Sequence, residues 1–517
     1  MTDPLTELAR SQPDKLALVD DRPDGTLASW TYQELEAQTN ALARVFRDAG
    51  AKAGNRIIWC GPNSRWVVAA GIAARKLGAV AVPLNYRLTA EEAAYVVDNS
   101  DAVLVFADAE YADLFAEIHR EIPQVQEVIV FDGPARAGQA AAEERLALVS
   151  TDELVVDVDQ TVSGTMIYTS GTTGRPKGAV RKNTGDPTQV AALIELMQLK
   201  GDDVYLTTGP LYHSGPSGFM AFAFAFGNTI VLQRKFDAED WLRLIDKYDV
   251  SFTFSAPTPV RLATQLPPET ISRYDLSSVR ITIANAAPWS FALKKAYLAN
   301  FPVDSLFEVY GSTELGVNTI MLPADQLRKP GSCGQAAPGV EIILIDEDGA
   351  EITEPNVPGE VFIRSASVFS TYHKAEEKYL EDRRGDMQTV GDIAYRDDEG
   401  FYYICDRKKD MIISGGVNVY PAEIEAALEH HPDILDVAVF GIPSEEWGES
   451  VHAVIVRRDG SELRDEDIHA FAREHLAGYK VPRSIEYRDE IPRTGTGKIL
   501  KRELRAPWWE GHNTGVA

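Results

Sequence analysis

The sequence predicts an α/β fold: a large N-terminal domain of doubly wound mixed and parallel sheets with a β-rich subdomain, then a small α+β C-terminal domain. Three observations predict it. Short apolar runs alternate with amphipathic stretches over most of the chain, as βαβ units require. Those runs are nearly all apolar, as in strands buried on both faces. Past about residue 338 the alternation gives way to hairpin-like runs, and past residue 420 to a shorter series of helices and strands. A length of 517 residues suits two to four domains at about 150 residues each.

In chain order, RIIWCG at residues 56–61 reads as a buried strand, residues 64–76 as a helix and AVAVPL at 79–84 as the next strand. TAEEAAYVVDN at 89–99 reads as a helix and VLVFA at 103–107 as a strand. VYLTT, TIVLQ, SFTFS and VRITIA, starting at residues 204, 229, 251 and 279, continue the strand series, and AEDWLRLIDKY at 238–248 repeats apolar residues at helical spacing. WVVAAGIAA at 66–74 and FMAFAFAF at 219–226 are too short to span a bilayer and read as buried core helices. VEIILIDEDGAEI at 340–352 and GEVFIRS at 359–365 read as hairpin strands, with DEDG as the turn signal. The last part reads as helix (421–431), strand (436–442), strand (450–459), helix (466–476), strand (484–489) and a short helix (498–504), with a loose tail from Ala506. The polar stretch DRKKD at 406–410 places a domain boundary between residues 1–408 and 409–517.

Composition narrows the function classes. At 44% hydrophobic and 25% charged, the chain matches an ordinary soluble globular protein. A net charge of −27 would be repelled by a phosphate backbone, which argues against nucleic acid as a partner. Cys60, Cys333 and Cys405 lie far apart and form no CxxC pair, so neither a disulfide framework nor a cysteine-rich zinc site is expected. The N-terminal residues show no signal peptide, and no run reaches the ~18 apolar residues of a membrane segment, so a cytoplasmic location is expected. A homodimer is compatible with the sequence.

The strongest motif is IYTSGTTGRPKGA at 167–179. An apolar lead-in enters Thr169, Ser170, Gly171, Thr172, Thr173 and Gly174, with Lys177 just beyond. Glycines let the backbone turn sharply and approach a ligand, and successive N–H groups with hydroxyls make a concave surface that suits phosphate oxygens. No Gly-Lys-Ser/Thr ends the loop, so it is not a Walker A motif. Further motifs follow: PLYHSG at 210–215, NAAP at 285–288, YGSTE at 310–314, VGDIAYRDDEGFYYICDRKKD at 390–410, SGGVNVYPAEIE at 414–425 and IPRTGTGKILKREL at 491–504. In this order, over roughly residues 30–498, they resemble the adenylate-forming superfamily of acyl-CoA synthetases, peptide-synthetase adenylation domains and firefly-type luciferases. The likeness is greatest to a fatty-acyl-CoA synthetase.

That resemblance implies roles for individual residues. The 169–177 loop would hold ATP phosphates. His213 would stand beside the carboxylate and nucleotide, and Asn285, Ala286, Ala287 and Pro288 would form the small-residue turn under adenine. Tyr310 would pack on adenine beside Gly311 and Ser312, Thr313 would meet the α-phosphate and Glu314 would bind Mg²⁺. Asp392 and Arg407 would grip the ribose, since a carboxylate accepts from hydroxyls and a guanidinium donates to them. Lys409 would be the hinge, Gly415 and Gly416 would line the coenzyme A channel, and Lys498 would be the catalytic lysine of adenylation. An ammonium about 4 Å from an oxygen anion gains on the order of 4 kcal/mol at an effective dielectric of ~20.

The implied function is an AMP-forming carboxylic acid–CoA ligase using ATP, Mg²⁺ and coenzyme A on a small-molecule carboxylic acid. Candidate pocket residues Phe219, Phe222, Asn285, Gly311 and Val317 bring no obvious charge, which favours an apolar acid such as a fatty acid. A steroid-like, alicyclic or aryl acid is an alternative, as is an acyl-AMP ligase that delivers to a carrier protein. A non-catalytic binding protein on the same fold should have lost Glu314, Lys498 or the glycine loop, and all three are present.

Overall fold

Buried apolar strands organise two large sheets. The protein was analysed as a computed structural model that describes residues 3–155, 163–169, 175–182, 186–287, 289–493 and 499–510. One sheet has eight strands around the parallel set Val80–Leu84, Arg56–Cys60, Ala102–Asp108 and Glu127–Phe131. The other has nine strands around the parallel set Leu306–Ser312, Ile281–Ala284, Phe252–Ser255, Val204–Thr207, Thr229–Leu232 and Leu16–Asp21. Their central strands are buried along nearly their whole length, which is why the sequence shows nearly all-apolar runs there, broken only by small hydroxyl residues and an edge arginine.

Helices Tyr32–Asp48 and Arg65–Lys76 supply much of the main core, with residues from both sheets. The first starts with a capping box, in which Thr31 Oγ1 accepts from Glu34 N–H at 3.2 Å and Glu34 Oε2 accepts from Thr31 N–H at 2.8 Å. Trp30 and Trp66 meet edge to face at 5.1 Å in this core. The 66–74 run is core, as its composition predicts. The 219–226 run is core on one side only, where Ala223 is buried and Phe219, Met220, Phe222 and Phe224 pack against the same cluster. It lies in helix Ser214–Ala225, where only Pro216 and Ala223 are fully buried and Gly218, Ala221 and Ala225 are exposed. An apolar helix facing a cleft has the same composition as one in a core, so the sequence could not separate the two.

Both large sheets end in antiparallel additions, and these carry the site. Gly164–Thr169 pairs with Lys177–Lys182, and Leu306–Ser312 with Gly316–Met321. A third sheet of six strands spans residues 341–407 and includes the hairpin Glu341–Ile345/Gly359–Arg364 that DEDG predicts. A fourth sheet is built on the long hairpin Ile434–Ser444/Gly448–Arg457, with Ser484–Tyr487 added in parallel. Helices Pro421–Leu428 and Asp465–His475 cover it. The tail is less loose than expected, because helix Lys501–Trp509 continues past Ala506. Leu504 is buried, Trp509 Nε1 donates to Gly441 O at 3.0 Å and Trp508 packs on His452 at 4.8 Å. Lys501, on the same helix, is half-buried with its Nζ 2.9 Å from Glu425 and 3.8 Å from Asp406. Among the described residues no helix is long and apolar enough to cross a membrane.

Candidate active site

The antiparallel register of Gly164–Thr169 and Lys177–Lys182 sets Thr169 directly opposite Lys177. The two ends of the glycine-rich loop are therefore neighbours at the mouth of the hairpin. Gly178 is closely packed there, since a Cβ on it would lie 2.9 Å from Met166 Sδ. Lys177 Nζ sits 5.8 Å from the Tyr372 ring centroid, within cation–π reach. Ser170, Gly171, Thr172, Thr173 and Gly174 lie outside the described residues, as do Pro288 and Lys498.

Glu314 occupies the turn between Leu306–Ser312 and Gly316–Met321 and is 8% exposed. Gly311 allows that turn to close, since a Cβ on it would fall 2.2 Å from Gly316 O. Thr169 Oγ1 donates to Glu314 Oε1 at 2.9 Å and Tyr372 Oη to the same oxygen at 3.1 Å. Burial pushes the Tyr372 hydroxyl well above its usual range, with the Glu314 carboxylate adding to the effect, so the tyrosine stays a donor. Phe369 N–H donates to Glu314 O at 2.7 Å, Thr313 Oγ1 is 2.7 Å from Ser214 Oγ, and Arg181 donates to Thr313 O. Ser214, Tyr372 and Arg181 were not anticipated from the sequence. They come from separate segments joined to Glu314 only by tertiary structure.

A second group gathers near Tyr310. Asp392 and Arg407 are cross-strand partners on Asp392–Arg396 and Tyr402–Arg407. Asp392 Oδ2 accepts from Tyr310 Oη at 2.7 Å and Oδ1 from Arg407 Nε at 3.2 Å. Asn285 Nδ2 donates to Val309 O at 2.6 Å, which ties the 285–287 turn to the Tyr310 strand. Ala286 holds φ at +75°, a left-handed conformation costly for a non-glycine residue and often found at ligand sites. Ser312 follows Tyr310 and Gly311 on the same strand.

His213 is the N-cap of helix Ser214–Ala225 and packs on Tyr212 at 4.3 Å. Its Nε2 is buried without a hydrogen-bond partner among the described residues. Burial, helped by the nearby Arg87 charge, lowers its pKa to about 4, so it is neutral at pH 7. Beyond it lie Phe219, Phe222 and Val317, joined by Leu193, Met197, Phe254 and Trp289. Leu193 and Met197 come from helix Pro187–Met197, which the sequence did not single out.

All of these groups line one cleft of about 3580 Å³, and Lys409 and Gly416 line it too. Gly415 and Gly416 form the turn between Ile412–Ser414 and Val417–Val419, with φ of +61° and +78°. A Cβ on Gly415 would meet Trp447 at 2.8 Å. Among the described residues no group of three His, Cys, Asp or Glu side chains converges as a metal cage. The cysteines lie apart, and burial raises the Cys333 and Cys405 thiols to about 12.

With this geometry established, comparison with known proteins gives a consistent picture. Residues 5–373 match the AMP-binding enzyme family and residues 423–498 the AMP-binding enzyme C-terminal domain. A fatty acid–[acyl-carrier-protein] ligase, ScoC, of Streptomyces coeruleorubidus is 33% identical over 93% of this chain and 92% of its own. A feruloyl-CoA synthase of an Amycolatopsis species is also 33% identical, over 96% of each chain. The structure of ATP-bound MatB from Rhodopseudomonas palustris superposes with a TM-score of 0.85 at 27% identity, covering 99% of both chains.

Proposed function

This chain belongs to the AMP-binding enzyme family, and from that premise we propose that it is an AMP-forming carboxylic acid–CoA ligase acting on an apolar acid. One observation carries the reading: the Thr169–Glu314–Tyr372 group and the Tyr310–Asp392–Arg407 group face the same cleft. The first suits a metal–triphosphate and the second a ribose, with the small-residue turn of Asn285, Ala286 and Ala287 beside them.

The donor chemistry fits magnesium. Both hydroxyls donate to one oxygen of Glu314, which fixes the carboxylate while its second oxygen takes neither bond. Mg²⁺ favours one or two protein carboxylates with phosphates and water, and when held by Glu314 it would neutralise part of the triphosphate charge.

In the first half-reaction an oxygen of the substrate carboxylate forms a bond to the ATP α-phosphorus, and the α–β bond breaks with release of pyrophosphate. Positioning and charge stabilisation dominate such transfers. Thr169 and Lys177, with the glycine loop, orient the phosphates, Thr313 stands at the reacting end and Lys498 contributes its ammonium. His213, being neutral, adds no second positive charge against the acid. In the second half-reaction the C-terminal domain, residues 409–517, turns about Lys409 and presents the Gly415–Gly416 turn to the incoming coenzyme A. The coenzyme A thiol loses its proton and bonds to the acyl carbon as AMP leaves.

Phe219, Phe222, Leu193, Met197 and Val317 support an apolar acyl group, a fatty acid foremost. The named relatives act on a fatty acid and on a feruloyl group at the same identity, so an aryl acid is the competing substrate class. Delivery to a carrier protein is a second reading, favoured by the ScoC likeness. Pyrophosphate release over a panel of carboxylic acids, with coenzyme A, with a carrier protein and with neither, tests all of this. Release with no acid of any class would overturn the reading. A thioester formed only on the carrier would replace coenzyme A as acceptor.

A further inference from the structure

Arg181 belongs to none of the sequence motifs, yet its side chain lines the nucleotide cleft. It lies on strand Lys177–Lys182, just past the glycine-rich loop. Its guanidinium donates to Thr313 O through one nitrogen and to Ser367 O at 2.8 Å through another. Among the described residues both acceptors are main-chain carbonyls rather than carboxylates. Burial works against the charge, and the field of Glu314 works in its favour. Desolvating a guanidinium without a paired carboxylate is costly, and an apolar side chain could pack there more cheaply.

The two acceptors belong to separate segments that enclose Glu314. Thr313 precedes it in the turn, and Ser367 begins the stretch whose Phe369 N–H donates to Glu314 O and whose Tyr372 hydroxyl donates to Glu314 Oε1. The segments also touch directly, since a Cβ on Gly316 would lie 2.6 Å from Ser367 Cβ. Arg181 bridges both carbonyls with one planar fork, which a lysine ammonium on a flexible stem does not reproduce.

We propose that Arg181 is a positioning residue for nucleotide binding. It clamps the 313–314 turn to the 367–372 segment and keeps a positive charge behind Thr313 and Glu314, so the phosphates meet groups already aimed at them. It acts through those groups and touches no reacting atom. The proposal rests on ATP being the ligand of this cleft.

The test is calorimetric titration of Mg·ATP into the full-length wild type, Arg181→Met and Arg181→Lys, without carboxylic acid. Melting temperatures and pyrophosphate release kinetics are measured alongside. Arg181→Met should weaken ATP binding by about tenfold to a hundredfold, the usual effect of losing hydrogen bonds from a charged group. Its KM for ATP should rise by a larger factor than its kcat falls. Arg181→Lys should recover part of the binding, because it keeps the charge and loses the fork. Wild-type affinity in Arg181→Met, whatever its melting temperature, overturns the proposal. If that variant does not fold, wild-type affinity in Arg181→Lys overturns it instead. A wild-type protein that does not bind Mg·ATP refutes the ligase reading itself, which keeps the two failures distinct.

Discussion

At the scale of single residues, Tyr372 and His213 make opposite demands on their surroundings. Tyr372 donates a hydroxyl to a buried carboxylate 58 residues earlier in the chain. Tyr372→Phe should lower kcat/KM at limiting magnesium by about tenfold, in keeping with the loss of one hydrogen bond to a charged group. A magnesium titration of pyrophosphate release checks it, and an unchanged curve would mean that Thr169 alone holds Glu314. His213 is held neutral, with a pKa near 4 in place of the usual 6.5. Above pH 6.5 both folded and unfolded chains carry it uncharged, and its contribution to stability is constant. Below 6.5 the unfolded chain takes up the proton first, so stability is lost as the pH falls towards 4, by about 3 kcal/mol at most. Urea melts across that window should be flatter for His213→Gln than for the wild type. Motif order led to Glu314, Asp392 and Arg407 because their neighbours along the chain are distinctive. Tyr372 and Arg181 escaped because nothing local marks them, and their partners are brought in by strand pairing at long range.

At the scale of elements, the strands were the most legible part, since burial on both faces leaves nearly all-apolar runs such as residues 57–60 and 281–284. Helix Ser214–Ala225 was only half legible, because composition records hydrophobicity and not which side packs on the core and which faces a cleft. The terminal helix was cut short because two tryptophans near a chain end give no periodic signal, although Trp509 is anchored to Gly441. Lys409 lies between Tyr402–Arg407 and Ile412–Ser414, where Asp410 and Met411 N–H both donate to Arg407 O. Proline fixes φ near −65°, so Lys409→Pro should impair thioester formation more than adenylation. Separate assays of the two half-reactions decide it. Equal losses in both would take the pivot away from residue 409.

At the scale of the molecule, the two large sheets supply the Glu314 wall and the apolar wall of the cleft, the third supplies Asp392 and Arg407, and residues from the fourth complete its lining. Division of labour then becomes measurable. Lys498→Ala should slow adenylation by about 10²–10³, as loss of one transition-state donor does, and largely spare transfer from supplied acyl-AMP. Rapid-quench assays of each half-reaction would reveal it, and parallel losses would refute separate roles.

The half-buried Lys501 ammonium has two unequal neighbours, near on Glu425 and farther on Asp406. Glu425 sits on a helix of the fourth sheet, whereas Asp406 ends a strand of the third and also accepts from Ala422 N–H at 3.0 Å. A swing of the C-terminal part would therefore carry the lysine along with its closer carboxylate and leave the other behind. Stranding a half-buried ammonium with no counter-charge would be costly, and this arrangement avoids it. The toll for such a reorientation would fall instead on Asp406, which would exchange the lysine and the Ala422 N–H for water or a new donor.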